Sequence, residues 1–569
     1  MRLLLFCFFL TTITTLTVRA QDSVLVLRGQ VIEQKSEEPV PFVNIRLNDY
    51  YYGTSTNLDG RFELKLKQGR FSDKNELQIS CIGYQSLVIK LSSLDPSLYQ
   101  TIRLIPRQNS LDDFVVRSSR LRRKESNQAR TVVMDAIDRI PANRAKTNYL
   151  AKSFYRHYCK EDTSYVRLTE AAIALFQHKK GGKFVQIPEQ RLHFGLNHMR
   201  RSFDYTSFAK LSHPPISLNF IMSNDLTNYE FHNPLRRNLD HYEFMIEDTT
   251  SLNNEPIIVI GFEPKEPQKR KLNYEGKLFI NMKDKGFVRA DIKEIQVFSN
   301  AIDSIRSTVD KQVFFQKFKG KYFPQRLLSD VNAEHFFSGS DQSVSHQSHV
   351  EIMVNELIPK SQAEFAAGEP SEEDLRAIQY DSAFWNSYTV LEATPLEKKI
   401  IDDLSKKVSL QNQFEAINRF KEGVQSIIDN SDFQAAISDY NGTPVYTVLW
   451  AKWGVPNFYE IIPSPYLRKL MKKGKVKLLM ISLDEDEATW NENREIYGLN
   501  RDFVIHKRVP LGLGDDIVQK FFEELVPDYL VLGVDGKILD HFPPLPSVSD
   551  VKSYYNELMK QKSVESQNR

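Results

Sequence analysis

Alternation of apolar and polar residues with a period of two is the dominant pattern over residues 21–106. Five short runs show it, and Gly, Pro, Asn and Asp residues separate them: VLRGQVIE, FVNIRLN, GRFELKLK, ELQISCIG and SLVIKL. Because a strand places successive side chains on opposite faces, each run predicts a strand with one buried face. Several short strands at this spacing predict an N-terminal β-sandwich.

Longer alternating runs occupy residues 149–360. The clearest are PIIVIGFEP, YEGKLFINMKDKGFVRADIKEIQVF and KQVFFQKFKGKYFPQRLL, in which residues 284–286 and Gly320 mark hairpin turns. Consecutive antiparallel strands of this kind predict a broad, strongly curved central sheet. The pattern fits a sheet filled by its own side chains as well as a sheet with an apolar ligand groove.

Helical periodicity flanks the predicted sheet on both sides. Residues 107–148 predict a linker followed by a helix that Pro141 stops, because the apolar residues of this stretch share one helix side. Those apolar residues are Val132, Val133, Ala136, Ile137 and Ile140. Residues 361–410 predict a helical linker, since Ser371 and the Thr394-Pro395 pair are typical helix starts.

The C-terminal residues 411–569 alternate buried strands with helices. PVYTVLWA, VKLLMISLD and YLVLGVDGKIL are strand-like, and residues 457–471 and 487–497 are helical in pattern. This order predicts a helix-flanked α/β domain. The predicted fold class is therefore multi-domain α+β, with an N-terminal β-sandwich, a central curved antiparallel sheet and a C-terminal α/β domain.

The first 20 residues, MRLLLFCFFLTTITTLTVRA, have the features of a secretory signal peptide. Arg2 precedes an apolar run over residues 3–10, and Val18-Arg19-Ala20 predicts cleavage before Gln21. A membrane anchor is the alternative, but the apolar core is shorter than the ~20 residues that a span needs. We expect secretion across the inner membrane, no transmembrane span, and a location in the periplasm or at the outer membrane.

Charge and cysteine content exclude two classes of protein. Lys and Arg number 75 against 73 Asp and Glu, a net charge of +2, so no overall field favours nucleic acid as a partner. After the predicted signal only Cys81 and Cys159 remain, in different predicted domains. A disulfide framework is not expected, and the sequence leaves the state of the two thiols open.

Four motifs of the N-terminal region carry a specific resemblance: G-Q-V-I at Gly29, PVPFVNIRL from Pro39, GTSTNLDGRFEL from Gly53 and ISCIGYQS around Gly83. This region resembles the carboxypeptidase-regulatory-like domain, a transthyretin-like sandwich found at the N-termini of secreted bacterial envelope proteins. The resemblance implies no peptidase chemistry, and the chain has no H-x-x-E zinc signature.

The stretch VLWAKWGVPNFYE, from Val448, resembles the active-site segment of secreted thioredoxin-like oxidoreductases, W-A-x-W-C-x-P-C. The resemblance implies a thioredoxin-like domain over residues 411–569 that lacks both cysteines, with Pro527 in the place of the family's cis-proline. Disulfide exchange needs a thiolate and a resolving thiol, so we expect no redox activity. The residues of this degenerate motif are Trp450, Trp453, Gly454, Pro456, Asn457 and Pro527.

The central region also resembles a known class of proteins, through Y-E-G-K-L-F-I-N and the later K-Y-F-P. These motifs are similar to the half-barrel of lipoprotein-carrier and lipid-binding envelope proteins, whose concave face holds acyl chains. Metal ligands are not expected, because no histidine has ligand spacing with a Cys or a carboxylate. His346 and His349 are three residues apart on a predicted strand and should point to opposite faces.

The sequence as a whole favours a non-catalytic binding or assembly protein of the bacterial cell envelope, without a cofactor. No catalytic motif of the nucleotide-binding or hydrolase type is present. A protein or peptide of the envelope is the expected partner, and a lipid is the second. The alternative functions are a carrier of lipid or other hydrophobic ligand that uses the central sheet, and a hydrolase-associated envelope factor. The sequence leaves the ligand, the partner and the oligomeric state open.

Overall fold

The computed structural model describes the main body of the chain, with internal gaps. The described residues are 24–48, 50–67, 71–72, 74–107, 119–145, 147–177, 192–202, 239–266, 273–299, 303–337, 343–361, 378–391, 395–405, 409–417, 429, 431–438, 443–451, 461–484, 486–496, 499–500, 502–510, 528–533, 537–540, 543, 546 and 554–556. Every structural statement below refers to these residues.

Seven short strands build the N-terminal sandwich. They are β1 (Val24–Glu33), β2 (Asn44–Leu47), β3 (Gly53–Ser55), β4 (Arg61–Lys67), β5 (Glu76–Ser80), β6 (Leu87–Lys90) and β7 (Gln100–Leu104), with a 3₁₀ turn at Leu91–Ser93. One sheet has the order β4-β1-β7 and the other β3-β2-β5-β6. The alternating apolar residues of both sheets meet in one core, in which Val31, Ile45 and Leu64 are fully buried.

Ten longer strands form one antiparallel sheet, which dominates the protein. They are β8 (Tyr149–Glu161), β9 (Ser164–Gln177), β10 (Leu192–Arg201), β11 (Tyr242–Leu252), β12 (Glu255–Pro264), β13 (Asn273–Asn281), β14 (Phe287–Ser299), β15 (Asp303–Phe318), β16 (Lys321–Phe337) and β17 (Ser343–Pro359), with a 3₁₀ turn at Leu239–His241. The order is β10-β9-β8-β17-β16-β15-β14-β13-β12-β11. Most neighbours are consecutive hairpins, and β17 closes back beside β8.

A single long helix, α1 (Ser119–Asn143), packs on one face of this sheet, which we call the helix face. Its apolar stripe is the predicted one, and those residues belong to the same buried cluster as Tyr155, Ile260 and Val313 of the sheet. The helix continues two residues past Pro141, because a proline in the last helical turn removes only one hydrogen bond. Its C-terminal end is tied to the sheet by Asn143 Nδ2, which donates to the Asp284 carbonyl at 3.1 Å.

The sandwich packs on the opposite face, which we call the sandwich face, and contacts it at two places. Near β3, Arg326 Nη1 donates to the Thr56 carbonyl at 2.6 Å and to Ser55 Oγ at 3.1 Å. Near β5, the Gly83 amide donates to the Ser251 carbonyl at 2.9 Å, on the hairpin between β11 and β12. The sandwich is therefore fixed to the sheet by hydrogen bonds at both ends.

Charged side chains of the sandwich face are paired beneath the covering elements. Glu170 accepts from Arg156 Nε at 2.7 Å and from Arg200 Nε at 2.6 Å. Burial opposes ionisation of Glu170, but Arg200 and Arg156 outweigh burial and lower its pKa. Arg156 also donates to the Leu391 carbonyl at 3.3 Å, and thus links the sheet to the chain that follows it.

The helices described between the large sheet and the C-terminal region are α2 (Ser382–Ser387), α3 (Pro395–Leu404), α4 (Leu410–Ile417) and α5 (Ser431–Ser438). Asp381 caps α2 by accepting from the Phe384 amide at 3.1 Å. Trp385 of α2 is buried against Phe154 and Met353 of the sandwich face. Among the described helices, none is long and apolar enough to cross a membrane.

The C-terminal region holds a five-stranded mixed sheet of order β20-β19-β18-β21-β22. The strands are β18 (Val445–Trp450), β19 (Lys477–Ser482), β20 (Ile505–Arg508), β21 (Asp528–Leu532) and β22 (Ile538–Asp540), and the described helices are α6 (Pro465–Lys472) and α7 (Glu487–Ile496). β18 is parallel to β19 and antiparallel to β21.

The predicted fold class is wrong. The protein is mostly β, with 53% strand and 22% helix, and a helical thioredoxin-like α/β domain is not evident. The sequence pattern predicted one helix over residues 457–471, directly after β18. Residues 452–460 lie outside the described residues, Ile461 is helical, and α6 begins at Pro465, where Ser464 caps it by accepting from the Leu467 amide. Pro463 and Pro465 explain the interruption at residues 462–464, because a proline disfavours helical geometry in the residue before it.

Candidate binding site on the helix face

Strand register places a group of polar side chains on the helix face, at one end of the sheet. Residues directly opposite each other on neighbouring strands project to the same face. Thr169 of β9 lies opposite His157 of β8, and Ser329 of β16 is in the same row, opposite Val350 of β17. The next row contains Arg167, Cys159 and Ser348. We call this group, together with His346, the polar end.

The polar end has a hydrogen-bonded centre. His157 Nε2 lies 2.8 Å from Ser348 Oγ and 3.4 Å from Cys159 Sγ. Arg167 Nη2 donates to Cys159 Sγ at 3.2 Å. A thiol beside an imidazole is the arrangement by which a cysteine nucleophile is activated. Because His157 and Cys159 are both fully buried, this pair favours a structural or binding role over attack on a soluble substrate.

Several buried polar atoms around this centre make no hydrogen bond to any described residue. They are Thr169 Oγ1, Ser329 Oγ and Nε2 of His346, whose Nδ1 lies near Glu161. The three side chains have relative exposures of zero. Buried polar groups in native proteins are nearly always paired with protein, water or ligand. This concentration of unpaired groups therefore points to a polar molecule or polar group that completes them.

Charge at the polar end is dominated by cations. His346 Nδ1 lies 3.6 Å from Glu161 Oε1. Burial lowers the pKa of His346, but Cys159 and Glu161 outweigh burial and raise it to about 9, so the ring is protonated at neutral pH. Lys311, in the Ser329 row, forms a buried ion pair with Glu294. The three described cations of the polar end are therefore Arg167, His346 and Lys311, and the two described carboxylates are Glu161 and Glu294.

The rest of the helix face is apolar. The row beside the polar end runs through Ala171, Tyr155, Ile352, Leu327, Val313, Ala290, Leu278 and Ile260. All of them belong to the buried cluster that includes α1. The helix face is thus graded from an apolar surface beneath α1 to a polar, cationic end. This gradient has the polarity of an amphipathic molecule.

The structure places only one of the residues of the degenerate motif. Trp450 ends β18 and is fully buried, and its indole nitrogen makes no hydrogen bond to a described residue. Trp453, Gly454, Pro456, Asn457 and Pro527 lie outside the described residues. Among the described residues, no group of three or more His, Cys, Asp and Glu could hold a metal ion.

The polar end was not predicted from the sequence, although a signal for it exists. His157 and Cys159 are two residues apart on one strand, as are His346 and Ser348, so each pair shares a face. His349, which we expected on the opposite face from His346, accordingly lies 2.6 Å from Asp330 Oδ1 and stacks on Tyr158. Both thiols of the mature chain are free.

Comparison with known proteins supports the N-terminal resemblance. Residues 27–116 match the family model of the CarboxypepD_reg-like domain. This match covers the sandwich and leaves the rest of the chain outside the family model. A search among curated proteins gives no match.

Solved structures give three partial likenesses. A thioredoxin-like protein from Parabacteroides distasonis is 17% identical, over 21% of this chain and 81% of that one, with a TM-score of 0.15. A DUF1329 family protein from Desulfovibrio piger is 9% identical, over 42% and 95%, with a TM-score of 0.21. A LolA superfamily protein from Nitrosomonas europaea is 11% identical, over 41% and 94%, with a TM-score of 0.15. These TM-scores are too low to support an argument about fold or function.

Proposed function

We propose that this chain is a non-catalytic binding protein of the bacterial cell envelope, and that it binds an amphipathic lipid on the helix face of the ten-stranded sheet. The apolar part of the lipid lies along the apolar row that contains Ala171 and Tyr155, beside the polar end. Its head group lies at the polar end. The observation that carries this proposal is the pair of unpaired buried hydroxyls of Thr169 and Ser329, near the His346 ring and next to a continuous apolar surface.

Electrostatics favours an acidic head group. The protonated His346 and Arg167 supply positive charge, and Lys311 adds a third cation that Glu294 already pairs. A carboxylate or phosphate would accept hydrogen bonds from Thr169, Ser329 and Nε2 of His346. Hydrogen bonds between ionised groups are shorter and stronger than those between neutral groups. A fatty acid is the simplest ligand with this polarity.

The envelope location is supported by two features of the N-terminal region. Residues 1–20 have the pattern of a secretory signal, and residues 27–116 match the regulatory-like domain. The sandwich is bound to the sheet through Arg326 and Gly83, so its role in this proposal is to support the sheet. The protein or peptide partner expected from the sequence stays a prediction.

Binding of a fluorescent acyl probe tests the proposed function. We expect dansyl-labelled undecanoic acid to bind the mature protein saturably and to be displaced by oleate. Replacing Ala171 by phenylalanine inserts a ring into the apolar row, and we expect it to weaken probe binding about tenfold or more. The matched control is Met245→Phe, because Met245 is 55% exposed on the edge strand β11.

A check of folding and a second substitution make the probe-binding test decisive. Circular dichroism shows whether Ala171→Phe folds, and if it does not, Thr169→Val replaces it as a test of the head-group contact. Equal probe affinity for Ala171→Phe and Met245→Phe would show that the probe binds elsewhere. An unsaturable signal from the unmodified protein would also overturn the proposal.

A further inference from the structure

A second candidate site lies between the sandwich and the sandwich face of the sheet, on the opposite side from the lipid site. The two contacts of the sandwich, near β3 and near β5, leave between them a cavity of about 470 Å³. Phe42 and Cys81 line it from the sandwich, and Phe279, Arg289, Phe314 and Gln316 line it from the sheet. Small-molecule sites in proteins typically have volumes of about 300–1,000 Å³.

Arg289 is held in place by its aromatic neighbours and presents an open guanidinium edge. Its guanidinium carbon lies 5.1 Å from the Phe279 ring centre and 4.8 Å from that of Phe314. Its Nε donates to Asp291 Oδ1 at 2.7 Å. The two terminal nitrogens make no hydrogen bond to any described residue, so they remain available for a bidentate acceptor.

Gln316 adds a second unused donor to the same wall. Its relative exposure is 6%, and its Nε2 atom makes no hydrogen bond to a described residue. The neighbouring cation, Lys317, is already paired with Glu255 at 3.0 Å and Asp284 at 2.6 Å. None of the described residues that line the cavity carries a carboxylate. Asp291 engages only Nε of Arg289, so the wall still offers the terminal nitrogens of Arg289 and the amide of Gln316 as donors.

Phe42 closes the cavity in a strained backbone conformation. Its φ is 59°, in the left-handed region that bulky residues rarely adopt. The conformation brings its ring to 5.3 Å from that of Phe314, and places it under the Arg326 guanidinium at 4.6 Å. Backbone strain of this kind persists where the surrounding structure requires it, and it is concentrated at functional sites. Here it supplies an aromatic wall opposite the donors.

We infer that this cavity binds a small organic carboxylate with an aromatic or compact apolar body. The carboxylate would accept two hydrogen bonds from the terminal nitrogens of Arg289 and one from Gln316 Nε2. The apolar body would lie against Phe42 and Phe314. Because the ligand would contact the sandwich and the sheet together, its binding would tighten their contact.

Isothermal calorimetry with 3-phenylpropionate tests this site on the mature full-length protein. We expect saturable binding of 3-phenylpropionate and no binding of its neutral isostere, 3-phenylpropanol. Replacing Arg289 by glutamine removes the bidentate contact and should weaken binding about tenfold or more. The matched control is Lys293→Gln on the same strand, where Lys293 is 44% exposed and pairs with Glu275 at 3.4 Å.

Cys81 provides a second measurement that needs no substitution. Burial raises the pKa of its thiol to about 12, against the influence of Arg289, so its labelling is slow and sensitive to access. We expect saturating 3-phenylpropionate to slow labelling of the Cys81 peptide by methyl methanethiosulfonate at least severalfold, as measured by mass spectrometry. This readout remains if Arg289→Gln fails to fold.

Each outcome decides for or against the site. Unchanged Cys81 labelling together with no calorimetric signal would overturn it, as would equal binding of the acid and the alcohol. Unchanged affinity in a folded Arg289→Gln variant would also overturn it. The site is independent of the proposed lipid function, because Arg289→Gln should leave dansyl-probe binding unchanged and Ala171→Phe should leave 3-phenylpropionate binding unchanged.

Discussion

Replacing Arg326 by methionine is expected to lower the free energy of unfolding by about 3–5 kcal/mol, because removing one partner of a buried ion pair leaves the other charge uncompensated. The Arg326 side chain is 3% exposed and pairs with Glu351, which is 6% exposed. The same guanidinium binds the Thr56 carbonyl of the sandwich at 2.6 Å. The substitution therefore leaves the Glu351 charge buried without Arg326 and removes the hydrogen bonds of Arg326 to the sandwich.

Urea unfolding, followed by tryptophan fluorescence and circular dichroism, measures this effect. The double variant Arg326→Met, Glu351→Leu should recover much of the loss, since replacing a whole buried pair by apolar residues is often neutral. The surface control is Arg103→Met, whose side chain is 50% exposed and lies 3.6 Å from Glu37. That control substitution should lower the free energy of unfolding by less than about 1 kcal/mol. An Arg326→Met variant as stable as Arg103→Met would contradict the role of this pair.

Replacing Val133 by aspartate is expected to destabilise the protein by several kcal/mol, about 3 or more, because an unpaired carboxylate would enter the helix face. Val133 is fully buried between α1 and the sheet. The next residue, Met134, is 42% exposed on the same helix. Met134→Asp has a helix-propensity cost at least as large as that of Val133→Asp, without the burial, and should lower the free energy of unfolding by less than about 1 kcal/mol.

Thermal unfolding of the two aspartate variants separates packing from helix propensity. We expect a large drop in melting temperature for Val133→Asp alone. The same variant should also lose binding of the dansyl probe. Similar melting temperatures for the two variants would mean that α1 does not pack on the sheet through this stripe. The proposed lipid site would then lose its apolar cover.

Local periodicity predicted those strands of the first two thirds of the chain whose residues alternate clearly, and the helix α1. The period-two runs around Ile45 and Leu64 lie in strands, and so do those around Ile260 and Val313. The apolar stripe of α1 was also predicted, because a helix must bury such a stripe against a partner. These features depend on residues close in sequence, where the pattern is directly visible.

Contacts between distant segments could not be predicted in the same way. The polar end combines Thr169, Ser329 and His346, whose strands are brought together by the closure of β17 onto β8. Nothing in a single strand's pattern fixes its register with a strand far away in sequence. His157 and Ser348, which form a hydrogen bond between β8 and β17, are 191 residues apart. Arg326 and Thr56 are 270 residues apart, so no local sequence pattern predicts the hydrogen bond between them.

The C-terminal helix prediction differs from the structure for a local reason. One continuous helix over residues 457–471 was expected, although Pro463 and Pro465 lie inside that range. In the structure Ile461 is helical, residues 462–464 are not, and Ser464 caps a new helix that begins at Pro465. Proline is favoured in the first turn of a helix and disfavoured in its interior, so the two prolines divide the predicted helix.

Identification of the molecule bound to the protein in its own envelope tests the lipid proposal most directly. The mature protein is purified without detergent and without added lipid, and the molecules that dissociate from it are identified by native and denaturing mass spectrometry. The account predicts an acidic lipid or fatty acid at close to one per chain, depleted in Ala171→Phe and retained in Met245→Phe. Protein free of lipid, or lipid retained equally by both variants, would contradict it.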